Sequence, residues 1–362
     1  MDRVALAEAV ARRWNDAGVV YAVAHGVDEW PRRLGRDLDV VVDRRDAARA
    51  VALAREVLVA HGLAVAAPPP LWGARLVAAE REAPDDLLEV HTTTRITWRN
   101  TALVRRPEPS ARVGPFAVDP WVSVAKRVVL PLLAGRAQVF REDPARLALD
   151  AAERAAAGRH VAALAGPAPA ACLLAALAVS DVDALAALAP RFARAVFRRG
   201  AARHPLRAAG LLCHSLARRV REPFTPCAPV VAVVGAPGAD AGALVRTIAE
   251  GDRLVFTGVV VRPGRAGGVS LGQRLRDRID SSRQRLVLYD GRPPADGRGV
   301  WRRLASPEPD LTIFLGRGAA GPAGAGGAIA VLAPGGDELR RRAVALIIGA
   351  FMAKNGGAWR PD

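Results

Sequence analysis

Behind Asp2, a residue suited to cap a helix, apolar Leu6, Val10 and Trp14 recur every fourth position until Gly18, which predicts a first helix. A strand is predicted over Val19–His25, and Gly26 then opens a loop containing Asp28, Trp30, Pro31 and Gly35. The short β-branched run Asp37-Leu38-Asp39-Val40-Val41-Val42 reads as a second strand. A helical period returns from about Arg44 to His61, and Gly62 stops it. Strands are predicted at Leu76–Ala79 and Leu87–Thr92. Asp119-Pro120 joins a capping carboxylate to a proline at the first helical position, so a helix should run from there to Gly135, with another over Asp143–Ala157.

The stretch from Val161 to Ser180 carries no charge and is long enough to cross a bilayer, but Ala dominates it and Gly166-Pro167-Ala168-Pro169 interrupts it. Two short buried helices are expected. Helical, Ala-rich sequence continues to Glu222, and Pro223-Phe224-Thr225-Pro226 reads as a linker. Beyond it, strands at Val230–Val234, Arg285–Tyr289, Leu311–Leu315 and Ala328–Leu332 alternate with helical sequence and end in an amphipathic helix, Asp337–Ala353. That alternation is the signature of a parallel sheet with crossover helices. Gly316–Gly327 is the one low-complexity patch.

With 362 residues and roughly 150 per domain, two or three domains are expected, and 51% apolar residues exclude whole-chain disorder. The net charge of +16 comes almost wholly from arginine, since Lys126 and Lys354 are the only lysines, and a GC-rich genome accounts for part of it. Nine arginines from Arg191 to Arg221 face the single acid Glu222, and Leu206, Cys213, Leu216 and Val220 fall on one face of the helix in that segment. It fits either an anionic membrane surface or polymer, or a linker helix packed between domains with solvated arginines. Aromatic residues are 5% and not interleaved with the cluster, so no specific nucleic-acid recognition is expected. Cys172, Cys213 and Cys227 form no metal or disulfide pattern, and the charged N-terminus lacks the apolar stretch of a signal peptide; a cytoplasmic protein is expected.

Residues two apart on a strand point the same way, so Asp37 and Asp39 present two carboxylates to one point, and Glu89 lies between apolar Leu88 and Val90 on a later strand. Three acids on two neighbouring strands suit two magnesium ions that clamp a triphosphate and activate a hydroxyl. His25 and His91 lie on strands that should adjoin them. The order Tyr21-Ala22-Val23-Ala24-His25-Gly26, a loop, Asp37-Leu38-Asp39, a helix and Leu88-Glu89-Val90 resembles the DNA polymerase β-like nucleotidyltransferase superfamily. The resemblance implies Asp37 and Asp39 as metal ligands, Glu89 as the third carboxylate near the acceptor hydroxyl, and Gly26 in nucleotide binding. Val27 stands where that family usually has Ser or a second Gly. Lys126, one turn into its predicted helix, is a candidate phosphate contact or else a snorkelling surface lysine.

Val230 to Leu244 gives a buried strand, a Gly-rich turn and a helix start, the order of a phosphate-binding loop. Aligned from Gly235 through Gly238, however, the second glycine is Asp240, the lysine Ala241 and the hydroxyl Gly242, so the loop is degenerate. Leu286-Val287-Leu288-Tyr289-Asp290 and Pro307-Glu308-Pro309-Asp310-Leu311 resemble the thymidylate kinase-like branch of P-loop kinases, although Gly291 separates Asp290 from Arg292 and a Gly/Ala patch replaces the arginine-bearing lid.

The fold expected is α/β: an α+β nucleotidyltransferase-like domain over residues 1–160, a basic helical connection over 161–222, and a parallel-sheet, P-loop kinase-like domain over 228–357. The pairing, with Arg262-Pro263-Gly264 after the loop, resembles bacterial fusion proteins placed with surface-polysaccharide and cell-envelope biosynthesis. It implies a magnesium-dependent nucleotidyltransferase that moves a nucleoside monophosphate from a triphosphate to a small-molecule or envelope precursor, with a C-terminal pseudokinase. Two alternatives stay open: a catalytically inactive binding or scaffold protein, and a nucleotide or sugar kinase with a non-standard loop.

Overall fold

The computed structural model describes residues 1–25, 37–68, 73–80, 86–221, 228–235, 240–250, 256, 258–263, 276–277, 279–281, 285–290, 310–315, 328–332 and 336–356. Gly26, Val27, Gly238, Arg292 and the Gly316–Gly327 patch lie outside them.

The first half is a mixed sheet with helices on it. Helix α1 (Arg3–Asp16) is capped by Asp2, whose carboxylate accepts the N–H of Ala5. Strands β1 (Tyr21–His25) and β2 (Asp37–Val42), helix α2 (Ala47–Ala60), and strands β3 (Ala64–Ala66), β4 (Ala74–Ala79) and β5 (Leu87–Thr93) follow. Strands β6 (Ile96–Trp98) and β7 (Thr101–Val104) form a separate hairpin, and β8 (Ala111–Val113) and β9 (Phe116–Val118) a second. The sheet order is β3-β4-β5-β2-β1-β9-β8; β2 lies antiparallel to β1 and parallel to β5.

The helix expected from Asp119 to Gly135 is present in three parts: α3 (Pro120–Val124), a π-helical segment (Ala125–Val129) and α4 (Leu130–Leu133). Asp119 Oδ1 accepts the N–H groups of Trp121 and Val122 and fixes its start. The helix expected over Asp143–Ala157 is corrected. After α5 (Val139–Glu142) comes a 3₁₀ turn, Pro144–Leu147, and α6 (Ala151–Ala165) begins only at Asp150, where a reciprocal capping box with Glu153 starts the helix afresh. Gly166 separates α6 from α7 (Pro167–Ala178), so the uncharged stretch is the last turn of α6 followed by α7, each buried along one face only rather than throughout, and among the described residues no helix is long and apolar enough to cross a membrane.

Helix α8 (Val182–Arg203) leads into α9 (Pro205–Arg221). Of the apolar face anticipated on α9, Leu206 is 89% and Leu216 64% exposed and Cys213 is exposed too, while Ala208 and Leu211 are buried. Helices α3 to α8 are not a detached layer, because Trp121, Leu132, Phe140, Leu173, Leu185, Phe192 and Val196 share one core with Ala22, Ala24 and Val41 of the sheet. Helices α1 and α2 cover the opposite face through Leu6, Trp14 and Leu58 against Leu38, Val40 and Val90.

The second half has five parallel strands: β10 (Val230–Gly235), β11 (Gly258–Pro263), β12 (Arg285–Asp290), β13 (Leu311–Leu315) and β14 (Ala328–Leu332). Their order is β11-β12-β10-β13-β14, with α10 (Ala241–Glu250) after β10 and α11 (Gly336–Lys354) at the end. Strand β11 was not anticipated, although Val259-Val260-Val261 is β-branched. Helix α11 joins the halves: Phe351 and Ile347 share a core with Ala66, Val77 and Leu87 of the first sheet, and the N–H of Ala67 reaches the carbonyl of Asn355 at 3.2 Å.

Candidate functional site

The acidic residues meet because two strands distant in sequence lie side by side in parallel. In the β2–β5 ladder Asp37 stands opposite Glu89 and Asp39 opposite His91. With a period of two, Asp37, Asp39 and Val41 share a face of β2, and Leu87, Glu89 and His91 share a face of β5. It is the face not covered by α1 and α2. Val41 there belongs to the core beneath α3 to α8, and Val77 and Leu87 to the core beneath α11. The carboxylates therefore occupy the strip of sheet between those two covered patches.

Five side chains form a continuous line of contacts. Arg75, on β4 opposite His91, sends Nε to Glu89 Oε2 at 2.8 Å, with its Nη2 on the same oxygen. Arg75 and Glu89 are both buried, 7% and 2% exposed, so this is a desolvated ion pair. His91 Nε2 donates to Glu89 Oε2 at 3.0 Å, and its Nδ1 lies 3.5 Å from Asp39 Oδ1. On the far side Lys126 Nζ is 3.0 Å from Asp39 Oδ2. Lys126 reaches it from the π-helical segment, a local widening of the helix often found where side chains converge on a site. Asp37 is exposed at the start of β2. Three acids are thus set against two cations and one imidazole.

Asp37, Glu89 and His91 each offer a ligand atom, all within 4.8 Å of one another. The donor set of two carboxylates and one imidazole fits a divalent cation; carboxylate oxygens suit magnesium and manganese, and the imidazole favours later transition metals. Asp39, engaged by Lys126, adjoins this group through His91. Of the residues expected from sequence, Asp37, Asp39, Glu89, His91 and Lys126 come together. Arg75 was not anticipated; its signal in the sequence is a cation between Ala74 and the apolar run Leu76-Val77-Ala78-Ala79.

In the second half, Gly235 ends β10 at the point where strand order reverses, with β12 on one side and β13 on the other, the crevice where parallel sheets ordinarily take ligands. Ala241 and Gly242 begin α10. Asp240 Oδ1 accepts the N–H of Ala243 at 2.8 Å, and Arg246 Nη2 is 3.7 Å from Asp240 Oδ2. A Cβ on Gly242 would lie 3.2 Å from Asp290 Oδ2 and 3.4 Å from Asp240 Oδ1. Two carboxylates therefore stand at a helix N-terminus that would otherwise attract a phosphate. Asp310, from the Pro-x-Pro-Asp-Leu run, accepts from Val230 N at 2.7 Å and from Lys354 Nζ at 2.9 Å, tying β10, β13 and α11 together.

No family model, curated protein or solved structure shows significant similarity to this chain.

Proposed function

We propose that the protein is a divalent-cation-dependent nucleotidyltransferase whose reaction centre is the β2–β5 strip. The observation that supports it is the parallel register that sets Asp37 beside Glu89 and Asp39 beside His91, with the Asp37, Glu89 and His91 ligand atoms clustered within 4.8 Å. Asp37, Glu89 and His91 would hold the cation, which when bound offsets triphosphate charge and polarises phosphoryl oxygen. Arg75 holds the Glu89 carboxylate in place through Nε and Nη2. Lys126, at the edge of the line, is the cation placed to exchange Asp39 for a phosphate oxygen. In the net reaction an acceptor oxygen bonds to the α-phosphorus, the bond to the bridging oxygen breaks, pyrophosphate leaves and the acceptor proton is released. The second half then serves as a pseudokinase, since Asp240 brings a carboxylate where a transferring phosphate would need cations.

The ion pairs Arg75–Glu89 and Lys126–Asp39 favour a second reading, a nucleotide-binding scaffold without turnover, because two of the three acids already have a fixed cation. Magnesium or manganese with each nucleoside triphosphate, titrated against wild type and Asp37→Asn/Asp39→Asn while following thermal unfolding and pyrophosphate release, separates them. Ligand at a hundred times Kd adds about 2.7 kcal/mol to wild type. A stabilisation lost in the variant together with pyrophosphate release supports transfer. Stabilisation without release supports the scaffold, and no shift with any triphosphate overturns both.

A further inference from the structure

Away from the carboxylates, the β6–β7 hairpin, the start of α3 and helices α6 and α8 enclose a cavity of about 330 Å³, a volume typical of small-molecule sites. It is a different place from the β2–β5 strip. Arg106, on its wall, pairs with Asp43 (2.6 Å), which lies just past the end of β2, whereas Asp37 and Asp39 are at that strand's start, roughly 13 to 20 Å away along the strand.

The hairpin is locked onto α8. Asn100 Nδ2 donates to the carbonyl of Phe197 at 3.1 Å, and Gly200 lets Thr101 approach so closely that a Cβ there would lie 2.3 Å from Thr101 Oγ1. Behind this contact, Arg199 Nε and Arg203 Nη1 both donate to the carbonyl of Ala163, in the last turn of α6, at 3.2 and 3.0 Å. One backbone oxygen therefore holds two guanidiniums, one turn apart on α8, side by side. Among the described residues neither is in an ion pair, and each keeps N–H donors beyond the one it gives to Ala163.

The acids on the wall do not neutralise them. Asp119 directs Oδ1 to the N–H groups of Trp121 and Val122 and Oδ2 to that of Glu108 at 2.7 Å, and Glu108 itself is exposed at the rim. Another wall is flat and aromatic: His160 stacks on Trp121 with centroids 4.6 Å apart and planes 10° from parallel. Burial, reinforced by Arg159 and opposed by Asp119 and Glu108, lowers the His160 pKa from its ordinary value.

We propose that this cavity is a binding site for a phosphate-bearing anion, held by the paired guanidiniums of Arg199 and Arg203. Guanidinium offers parallel donors that match phosphoryl oxygens, and two of them at one point suit a doubly charged group. The phosphate can be carried by a soluble molecule or by a lipid headgroup, and the experiment separates the two.

Sodium pyrophosphate is titrated calorimetrically into the full chain in metal-free buffer with EDTA, using wild type, Arg203→Gln, Arg199→Gln/Arg203→Gln and Asp37→Asn/Asp39→Asn. Co-sedimentation with vesicles containing phosphatidylglycerol, or phosphatidylcholine alone, is run on the same proteins. The expected result is pyrophosphate binding that weakens at least tenfold in the arginine variants and is not weakened in the aspartate variant. Binding confined to phosphatidylglycerol vesicles and lost with the arginines also supports the site, with a lipid as the carrier. Binding of neither probe, or binding that ignores both arginine variants, overturns it. If the double variant fails to fold, Arg203→Gln decides, because that side chain is exposed.

Discussion

Arg75 shows how one side chain sets the character of a site. It neutralises Glu89 inside the sheet, where an isolated carboxylate is costly, while His91 takes a second contact on the same oxygen. Arg75→Met should therefore destabilise the fold by about 3–5 kcal/mol, because the carboxylate stays buried after its cation is gone. Adding Glu89→Gln to that variant should recover most of the loss, since the charge then disappears with its partner; urea denaturation of the two proteins checks both statements. The acids were legible because D-x-D and E-x-H need only the two-residue period of a strand to place their side chains together. Arg75 was not legible, since its role depends on β4 lying antiparallel beside β5 with Arg75 opposite His91, a register that no local pattern encodes.

At the scale of elements, Gly200 illustrates the conflict between helix propensity and packing. Alanine ordinarily stabilises a helix interior by about 1 kcal/mol relative to glycine. At Gly200 the added methyl would lie 2.3 Å from Thr101 Oγ1, and Thr101 is buried, so Gly200→Ala should instead cost about 1–3 kcal/mol. Gly158, on α6 with nothing within 4 Å of its would-be Cβ, is the internal control: Gly158→Ala should be neutral or stabilising. Opposite signs in chemical denaturation are the expected outcome. Long elements with a clear period were readable in advance, β2 to the residue and the α6–α7 break at Gly166. The strands β3, β6, β7, β8 and β9 were not, since all but one are three residues long and owe their existence to pairing partners rather than to their own pattern. The start of α6 was missed for a related reason: Asp143-Pro144 looks like a helix start, but the capping box lies at Asp150.

For the whole molecule, α11 is the element that two sheets share. Phe351 is fully buried, packs edge-on against Phe256 at 5.5 Å, and belongs to the same core as Val77 and Leu87 of the first sheet. Phe351→Ala should cost about 3–5 kcal/mol, and calorimetry should show the destabilisation in both halves rather than in the second alone. Separate transitions with only one of them lowered would show that the shared core does not couple the sheets. The parallel pairing of β2 with β5 has a consequence for the order in which the chain assembles. Arg75 and Glu89 sit on strands joined by a short connection, whereas Asp37 must close a loop of about fifty residues to reach Glu89, and short closures are faster than long ones. Loop closure therefore favours the order in which Glu89 acquires its guanidinium before it meets the aspartates, so the buried carboxylate is already compensated when the long loop closes.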